Sequence, residues 1–466
     1  IPVFYCAKCN EPVADPSIIN RVADVFEKES ADAWYTREAT ELLPEGYVCK
    51  KCGGQEWTKE TDILDVWFDS GASSIAVLEN REGLHWPADV YIEGGDQYRG
   101  WFNSSLMVGL AIHDRAPYKN VLTHGWTLDA QGKAMHKSAG NAVAPEEVIK
   151  DSGAEILRLW SASSNYFEDM RCSAEILQRV TDGYRKLRNT ARFALGNLHG
   201  FDPSRDAISD EELLEIDRWA LAKLNEVVGK VSAAYEAYEF HLVYHLLSDF
   251  CTVTLSARYF DIIKDRLYTF APRHQARRSA QTALYRVADA LARMLAPILV
   301  FTADEIWENL PQDIDREPSV HLALLPKEGQ SEESLLSNWE RLFEIREDVL
   351  PALEEARVAK QIGSSLEARV ELKATPDTYE FLKRYERDLP YLFIVSQVRL
   401  IEAGGVIAHG KDAGIRVGWE IVVGRAEGQK CERCWNYSTR VGESARYPNV
   451  CERCVAALEE IENEGG

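Results

Sequence analysis

The residues of this 466-residue chain that could most plainly do chemistry are its ten cysteines, because eight of them form four Cys-x-x-Cys pairs. Thiolates in such pairs are typical zinc ligands, and four of them complete a tetrahedral shell that has no open position for a substrate. In a long chain for which we expect no leader peptide, this spacing favours metal in a reducing compartment over disulfide bonds. The predicted metal ligands are Cys6, Cys9, Cys49 and Cys52 in a first set, and Cys431, Cys434, Cys451 and Cys454 in a second.

The second cysteine set has 16 residues, 435–450, between its two pairs, which is the spacing of a zinc ribbon or knuckle. We therefore predict a structural zinc that holds a segment too small to fold around a core of its own. Arginine and aromatic residues surround these cysteines, and this mixture suits nucleic acid. They are Arg433, Trp435, Tyr437, Arg440, Arg446 and Arg453. The alternative is a zinc staple whose arginines are only solvated.

The first cysteine set has 39 residues, 10–48, between its pairs, and Gly53-Gly54 follows its last cysteine, as is common in metal knuckles. Metal is again the favoured interpretation. Two unrelated thiol pairs are the alternative.

A loop at residues 132–141 combines small residues with two lysines and a serine. Such a loop can bring an ammonium group to a polyphosphate and neutralise the charge that develops on a leaving pyrophosphate. It lacks the residue order of a Walker P-loop. Its composition alone would favour a flexible surface loop.

A second polar segment, residues 91–102, places Glu93 and Asp96 at the predicted carboxyl end of a strand. Open α/β sheets bind their ligands at this edge, where a carboxylate could accept hydrogen bonds from an amino group or from ribose hydroxyls. A purely structural role is an equal alternative, with Arg99 as an ion-pair partner. In the preceding segment we interpret Trp67 and Phe68 as buried core residues.

The elements that must position these residues follow from hydrophobic periodicity. Between residues 62 and 162, strands at 90–92 and 121–126 alternate with helical segments, one of which begins near Pro145; this is the layout of an α/β nucleotide-binding domain. Apolar residues recur every three or four positions from about 175 to 350, which predicts a helical bundle. After Gly363 the period shortens to two, which predicts a small α+β module.

The composition excludes several classes of protein. Its 53 Lys and Arg against 75 Asp and Glu give a formal net charge of −22, which argues against a protein that coats nucleic acid but allows a local basic track. With 45% hydrophobic residues and short apolar runs, we expect a soluble, cytoplasmic protein with no membrane partner.

Taken together, these segments resemble the class I aminoacyl-tRNA synthetases, and among them the isoleucyl family of the bacterial type. Residues 134–138 (Ala-Met-His-Lys-Ser) are similar to the family's Lys-Met-Ser-Lys-Ser loop, and residues 93–101 are similar to its adenylate-binding segment. Residues 65–71 and 360–365 also match. The terminal cysteine set, with Trp435 after its second cysteine, favours the isoleucyl family over the leucyl, valyl and methionyl relatives.

The resemblance implies a multidomain fold with an α/β Rossmann-like catalytic half, an all-α anticodon-binding bundle, a small α+β junction and a terminal zinc module. The implied domains are a zinc-knuckle insert (1–55), the carboxyl-terminal half of the catalytic domain with the lysine loop (56–145), a stem-contact helical region (146–203), the anticodon-binding bundle (204–342), the junction (343–425) and a tRNA-contacting zinc finger (426–466).

The resemblance also implies roles for individual residues. The implied catalytic residues are Lys137 and Ser138, and the implied substrate-binding residues are Glu93, Asp96, Gln97, Met135 and His136. Two residues depart from the loop motif: Ala134 replaces its first lysine and His136 its serine, so one phosphate contact is lost. The expected cofactor is structural zinc, and the expected partners are tRNA(Ile), isoleucine, and ATP with magnesium, bound by a monomer.

The family's His-x-Gly-His motif and its editing domain do not occur in these 466 residues. We therefore expect the carboxyl-terminal half of a synthetase, with little isoleucine-activating activity by itself. The competing hypothesis is a non-catalytic, zinc-stabilised module that binds tRNA or another RNA.

Overall fold

A computed structural model describes residues 1–136, 138, 140–312, 316–330, 332–404, 408–409 and 416–464. The chain divides into two compact units, Ile1–Trp126 and Thr127–Gly466. Among the residues described, every helix is too short or too polar to cross a membrane.

The first unit begins with a three-stranded antiparallel sheet whose central strand, Phe4–Cys6, pairs with Pro12–Val13 on one side and Trp57–Lys59 on the other. The helices between these strands span Pro16–Glu29, Ala33–Thr36 and Ala39–Leu42. The sheet therefore brings the two ends of the cysteine-containing segment together, since Cys6 lies opposite Trp57.

The rest of the first unit is a βαβ arrangement. Strands Ala88–Gly94 and Tyr118–His124 are parallel, and the helix Trp101–His113 connects them, as parallel pairing requires. The helix Val66–Leu78 packs on this connecting helix. A Cβ atom at Gly71 would lie 2.7 Å from the backbone of Ser104, so glycine is needed for this close approach.

The interpretation of Trp67 and Phe68 as core residues is wrong. Their exposed fractions are 46% and 47%, and both lie in the first turn of the helix Val66–Leu78. This helix buries Gly71 and Ser74 instead. Small residues form its packed face because they allow the two helix backbones to approach closely, which leaves the aromatic side chains of the first turn half exposed.

The second unit is mostly helical. Its larger helices span Pro145–Ser152, Ala154–Ser163, Ala174–Asn197, Glu215–Glu236, Gln275–Leu295, Val300–Asn309 and Glu333–Val358. One further helix runs without interruption through Phe240–Asp249, a π-helical segment Phe250–Phe260, and Asp261–Thr269. The bundle core contains large buried side chains from several of these helices: Trp219, Tyr259, Leu284, Trp307 and Phe343.

A buried carboxylate ties this bundle together. Asp217 is fully buried, and it accepts hydrogen bonds from the Tyr259 hydroxyl at 2.6 Å and from Ser279 and Arg266. Burial and the neighbouring carboxylate of Asp217 hold the pKa of Tyr259 well above its usual range. Three helices, Glu215–Glu236, the continuous helix 240–269 and Gln275–Leu295, are thereby linked through one paired charge.

The α+β module that follows has the predicted period of two. Its central strand, Ala368–Ala374, pairs in parallel with Gln397–Glu402 and antiparallel with Trp419–Arg425. Alternate residues of the central strand are buried, including Val370 and Leu372.

The second unit also contains shorter helices and two-stranded pairs. The helices are Pro203–Asp206, Pro376–Lys383, Leu389–Phe393 and Glu452–Glu464. The strand pairs are Thr127–Leu128 with Met170–Arg171, Ala408–His409 with Arg416–Val417, and Gln429–Lys430 with Tyr437–Ser438.

Candidate functional site

The acidic residues predicted to bind substrate lie at the carboxyl end of a parallel strand. Glu93 is the second-to-last residue of the strand Ala88–Gly94 and is exposed, and the exposed Asp96 follows in a short 3₁₀ segment, Gly95–Tyr98. A Cβ atom at Gly94 would come within 2.7 Å of Asp96 Oδ1, so glycine lets the carboxylate fold back over the strand end. Two exposed carboxylates therefore lie at the edge where α/β sheets bind ligands.

Gln97 connects this edge to the helix Trp101–His113. Its Oε1 accepts a hydrogen bond from the Trp101 backbone N–H at 3.0 Å, and its Nε2 donates to Asp96 Oδ2 at 3.3 Å. The Trp101 ring stacks on Tyr91 with centroids 4.2 Å apart, and its indole N–H donates to the Ser70 carbonyl at 2.9 Å. The stacked rings of Tyr91 and Trp101 thus hold the backbone to which the Gln97 side-chain amide is bonded, and this amide orients Asp96.

Asp129 organises the beginning of the lysine loop in the second unit. It is buried, and its Oδ1 accepts hydrogen bonds from the backbone N–H groups of Lys133 at 2.8 Å and Gln131 at 3.0 Å. Its Oδ2 accepts from Asn141 Nδ2 at 2.8 Å. The Lys133 N–H and then the Asn141 amide lower the pKa of Asp129, so the carboxylate is ionised at neutral pH.

Asn141 closes the loop at its other end. Its Oδ1 accepts the His136 backbone N–H at 2.9 Å, and its Nδ2 also donates to the Ala134 carbonyl at 3.1 Å. Met135 is partly buried against the core of the second unit, whereas His136 and Ser138 are exposed. Lys137 lies outside the described residues. The bracket formed by Asp129 and Asn141 therefore fixes the backbone that presents this part of the loop.

The bracket formed by Asp129 and Asn141 was not among the features predicted from the sequence. Residues 129–132 form a turn in which the Gly132 N–H donates to the Asp129 carbonyl at 3.0 Å, and Gly132 has a positive φ of 79°. The available signal was an aspartate at the first position of a turn ending in glycine, where a carboxylate commonly accepts backbone N–H groups. The partnership with Asn141 joins residues 12 positions apart and depends on the loop's folded path.

The predicted site residues divide between the two compact units. Glu93, Asp96 and Gln97 form one group in the first unit. Met135, His136 and Ser138 share the loop in the second unit.

Both cysteine sets converge into candidate metal centres. Within each set the four sulfur atoms all lie within 4.8 Å of one another. The Cys6–Cys52, Cys9–Cys49 and Cys434–Cys451 sulfur pairs are each 3.6 Å apart. A tetrahedral zinc with Zn–S bonds of about 2.3 Å places its sulfur ligands about 3.8 Å apart, so both sets fit zinc.

The backbone around the cysteines has the form of a metal knuckle. In three of the four pairs, the residue after the second cysteine has a positive φ and donates its N–H to the carbonyl of the first cysteine. These residues are Asn10 (φ 57°, 2.8 Å), Gly53 (φ 71°, 2.8 Å) and Trp435 (φ 66°, 2.9 Å). The fourth pair, Cys451 and Cys454, instead lies at the start of the helix Glu452–Glu464. Backbone N–H groups of Cys52 and Lys51 lower the pKa of Cys49, which favours the thiolate form of this cysteine.

The arginines around the second set have protein partners. Arg440 pairs with Glu443 at 2.8 Å and Arg446 with Glu462 at 2.7 Å, both within the terminal zinc segment, residues 426–466. Arg433 and Arg453 contact the helical bundle. Trp435 is 61% exposed, so this aromatic ring is open to a ligand.

Comparison with protein families matches three segments of the chain. Residues 1–173 match the family described as tRNA synthetases class I (I, L, M and V), and residues 217–372 match the anticodon-binding domain of tRNA ligase. Residues 428–457 match a zinc finger found in FPG and IleRS. These matches confirm the predicted architecture of a synthetase catalytic region, an anticodon-binding bundle and a terminal zinc module.

Curated relatives match nearly the whole chain. It is 53% identical to the isoleucine–tRNA ligase of Syntrophotalea carbinolica over 98% of this chain and 49% of the relative. It is 51% identical to the enzyme of the same name from Symbiobacterium thermophilum, over 98% of this chain and 50% of the relative. The chain thus spans about half the length of the curated relatives it matches.

A solved structure supports the fold. The LeuRS of a LeuRS–tRNA–LeuAMS ternary complex from Agrobacterium radiobacter K84 superposes with a TM-score of 0.51 at 18% identity, over 80% of this chain and 42% of that one. The sequence identities, the three family matches and the paired cysteine sets agree with one another. This chain belongs to the isoleucine–tRNA ligase family of class I tRNA synthetases.

Proposed function

We propose that the protein containing this chain activates isoleucine with ATP and transfers it to tRNA(Ile). The observation that carries this proposal is the 53% identity to an isoleucine–tRNA ligase over 98% of the chain. In the first step the isoleucine carboxylate attacks the α-phosphorus of ATP, and pyrophosphate leaves. In the second step a ribose hydroxyl of the tRNA attacks the acyl carbon, and AMP leaves.

Glu93 and Asp96 suit the binding of the amino group of isoleucine or the ribose of the adenylate. Both are exposed carboxylates, which accept hydrogen bonds from ammonium and hydroxyl groups. Gln97 holds Asp96 in place through a hydrogen bond of 3.3 Å. In this proposal these residues position the substrate, and positioning supplies a large part of the catalysis of group transfer.

The loop of residues 132–141 is proposed to bind the ATP phosphates. Lys137 and Ser138 are the implied catalytic residues, with Met135 anchoring the loop and His136 facing the nucleotide. The Lys137 ammonium, together with the magnesium that accompanies ATP, would stabilise negative charge on the departing pyrophosphate. Because Ala134 replaces a lysine of the family motif, more of this stabilisation falls on Lys137.

The second unit is proposed to bind tRNA(Ile). The match of residues 217–372 to an anticodon-binding domain and of residues 428–457 to a zinc finger supports this assignment. In this proposal both cysteine sets hold structural zinc, because neither shell of four sulfur ligands leaves a position open for a substrate. A monomeric state stays a prediction.

An amino-acid-dependent exchange of pyrophosphate into ATP tests the catalytic part. The chain would be joined to the portion of the Syntrophotalea carbinolica relative that it does not match, because this chain alone is expected to show little exchange. We expect isoleucine to stimulate exchange more strongly than valine or leucine. Lys137→Ala should lower the rate by about 10²–10³-fold, in the range for loss of one preorganised charge-stabilising contact.

Lys150→Ala is the matched control, because Lys150 is an exposed lysine in the nearby helix Pro145–Ser152 and should leave the rate unchanged. Exchange that does not respond to isoleucine would contradict the proposed substrate. A Lys137→Ala rate equal to that of the control would contradict the role of the loop.

A further inference from the structure

The two cysteine pairs of the terminal zinc segment share one sequence, Cys-Glu-Arg-Cys. Arg433 directly precedes Cys434, and Arg453 directly precedes Cys454. Both arginines extend away from the cysteine cluster to the same element of the bundle, the helix Asp261–Thr269. This shared destination distinguishes them from Arg440 and Arg446, whose partners lie within the zinc segment.

Arg453 makes the more extensive contact. Its guanidinium forms a two-pronged ion pair with the carboxylate of Asp265, in which one nitrogen lies 3.0 Å from Oδ1. It also donates to the Tyr391 hydroxyl oxygen at 3.1 Å, and its charge lies 5.5 Å from the ring centres of both Tyr391 and Phe270. The side chains of Arg453 and Asp265 are only 23% and 24% exposed. A planar guanidinium between rings and a carboxylate is a specific contact that lysine cannot reproduce.

Arg433 contacts the end of the same helix. It donates a hydrogen bond to the backbone carbonyl of Thr269, the last residue of the helix. Carbonyls in the last turn of a helix lack partners within the helix, and the helix dipole makes this end favourable for a cation. The two arginines therefore contact one helix at two places, Arg453 at the side chain of Asp265 and Arg433 at the carboxyl-terminal end.

This contact forms one side of a surface groove. The groove has a volume of about 860 Å³ and is lined by residues of the helix, of the segment 387–397 and of the zinc module. Two of its aromatic residues, Tyr268 and Trp435, are each 61% exposed. Trp435 directly follows a cysteine of the cluster, so the seating of the zinc module sets the distance between the walls of the groove.

We propose that Arg433 and Arg453 are positioning residues that seat the zinc module, residues 428–457, on the helix Asp261–Thr269. Bound zinc would hold the backbone of the four cysteines in place, and this backbone directs both arginines towards the helix. The contacts of Arg433 and Arg453 with the helix then fix the position of the zinc module beside the groove. The inference rests on the proposed function in that tRNA is the ligand whose binding depends on the seated module. The arginines act through the module they hold and need not touch the tRNA.

The test compares Arg453→Gln, Arg433→Gln and Arg453→Lys in the zinc-loaded 466-residue chain. Hydrogen exchange of residues 428–457 and 261–269 is measured without tRNA, and zinc content and the Kd for tRNA(Ile) are measured on the same samples. Lys51→Gln is the control, since Lys51 also precedes a cysteine but pairs with Glu11 inside the first module.

For Arg453→Gln we expect retained zinc, exchange about tenfold faster at both segments, and a Kd raised about tenfold, the range for losing charge-assisted hydrogen bonds. Arg433→Gln should raise the exchange rate and the Kd by less than Arg453→Gln does. Arg453→Lys should give values between those of Arg453→Gln and the unmodified chain, and the control Lys51→Gln should change neither quantity. Asp265→Asn, which removes the bundle side of the pair and leaves the zinc segment intact, should reproduce the effect of Arg453→Gln even if that variant loses zinc.

Unchanged exchange in Asp265→Asn would overturn the seating contact. Faster exchange with an unchanged Kd would overturn the positioning role. If the unmodified chain shows no affinity for tRNA(Ile), the proposed function fails at that point, while the exchange measurement still decides whether the arginines seat the module.

Discussion

The two cysteine modules, residues 4–59 and 428–457, each contain a cluster of four cysteines but differ in what surrounds that cluster. The first module encloses an apolar core of its own, which includes the buried side chains of Phe4, Val22, Trp34 and Leu42. In the second module the buried cluster consists of the four cysteines themselves, with Val441 and Val450 partly buried against them. The 39-residue insert of the first module supplies three helices, whereas the 16-residue insert of the second is too short to supply a comparable core.

This difference indicates two uses of a metal. In the first module zinc would reinforce a fold that apolar burial already favours. In the second module zinc would replace the core, because a segment of this size buries too little apolar surface to fold alone. The second module also depends on the bundle, through Arg433 and Arg453. The first module instead joins its knuckle to its own helix, through Lys50 and Asp15.

Removal of zinc should produce the largest difference in stability between the two modules. Structural zinc contributes about 10–16 kcal/mol to the folding of small zinc-dependent domains. After chelation we expect residues 428–457 to lose nearly all amide protection from hydrogen exchange, while residues 4–59 keep protection in their helices and strands. Hydrogen exchange followed by mass spectrometry, before and after chelation and after zinc is restored, measures this. Equal loss of protection in both modules would show that the apolar core of the first is insufficient.

Truncation of an apolar side chain should destabilise the first module more than the second. Leu42 is fully buried there, and Leu42→Ala is expected to cost about 2–5 kcal/mol of local stability even with zinc bound. The corresponding change in the second module, Val441→Ala, removes a partly buried side chain and should cost less. The free energy of opening, obtained from the exchange of slowly exchanging amides, compares the two. If Leu42→Ala leaves it unchanged, the metal alone holds the first module.

The smallest expected effect concerns the link between the first knuckle and its helix. The ammonium of Lys50, followed by the hydroxyl and backbone N–H of Ser17, lowers the pKa of Asp15 to about 2. Because this value is below the ordinary 3.8, the stability that ionised Asp15 gives to the helix Pro16–Glu29 is present above about pH 4 and is lost as the pH falls towards 2. Lys50→Gln should raise the pKa of Asp15 towards its ordinary value.

An NMR titration of the Asp15 carboxyl carbon measures this pKa directly. Lys51→Gln is the control, since Lys51 pairs with Glu11, and it should leave the titration of Asp15 unchanged. Identical pKa values in Lys50→Gln and the unmodified chain would show that the knuckle and the helix are not coupled through this pair.

Local chemistry made much of the fold predictable. Cysteine spacing predicted both clusters of four cysteines, and the three- and four-residue apolar spacing predicted the helix Glu215–Glu236, in which Leu224, Val228 and Val231 are buried. Proline at the first helical position, followed by two glutamates, identified the helix Pro145–Ser152. Boundaries were less exact: the strand predicted at 121–126 spans Tyr118–His124. The domain boundaries and the roles of the site residues stay predictions.

The features that the sequence could not predict depend on contacts between segments that only the folded chain brings together. The exposure of Trp67 and Phe68 follows from the close contact of two helices at Gly71, and nothing in the local pattern indicates it. The bracket between Asp129 and Asn141 likewise joins residues that only the folded loop brings together. Hydrophobicity alone suggested burial for the aromatic residues, and composition alone suggested a flexible loop.

Binding of this chain to tRNA acceptors for isoleucine, valine and leucine, before and after zinc is stripped, tests the central claim most directly. We predict that the chain binds the isoleucine acceptor in preference to the other two, and that this binding weakens when the second module loses its zinc and its seat on the helix Asp261–Thr269. Equal affinity for all three tRNAs, or affinity that is unchanged by chelation, would contradict the account.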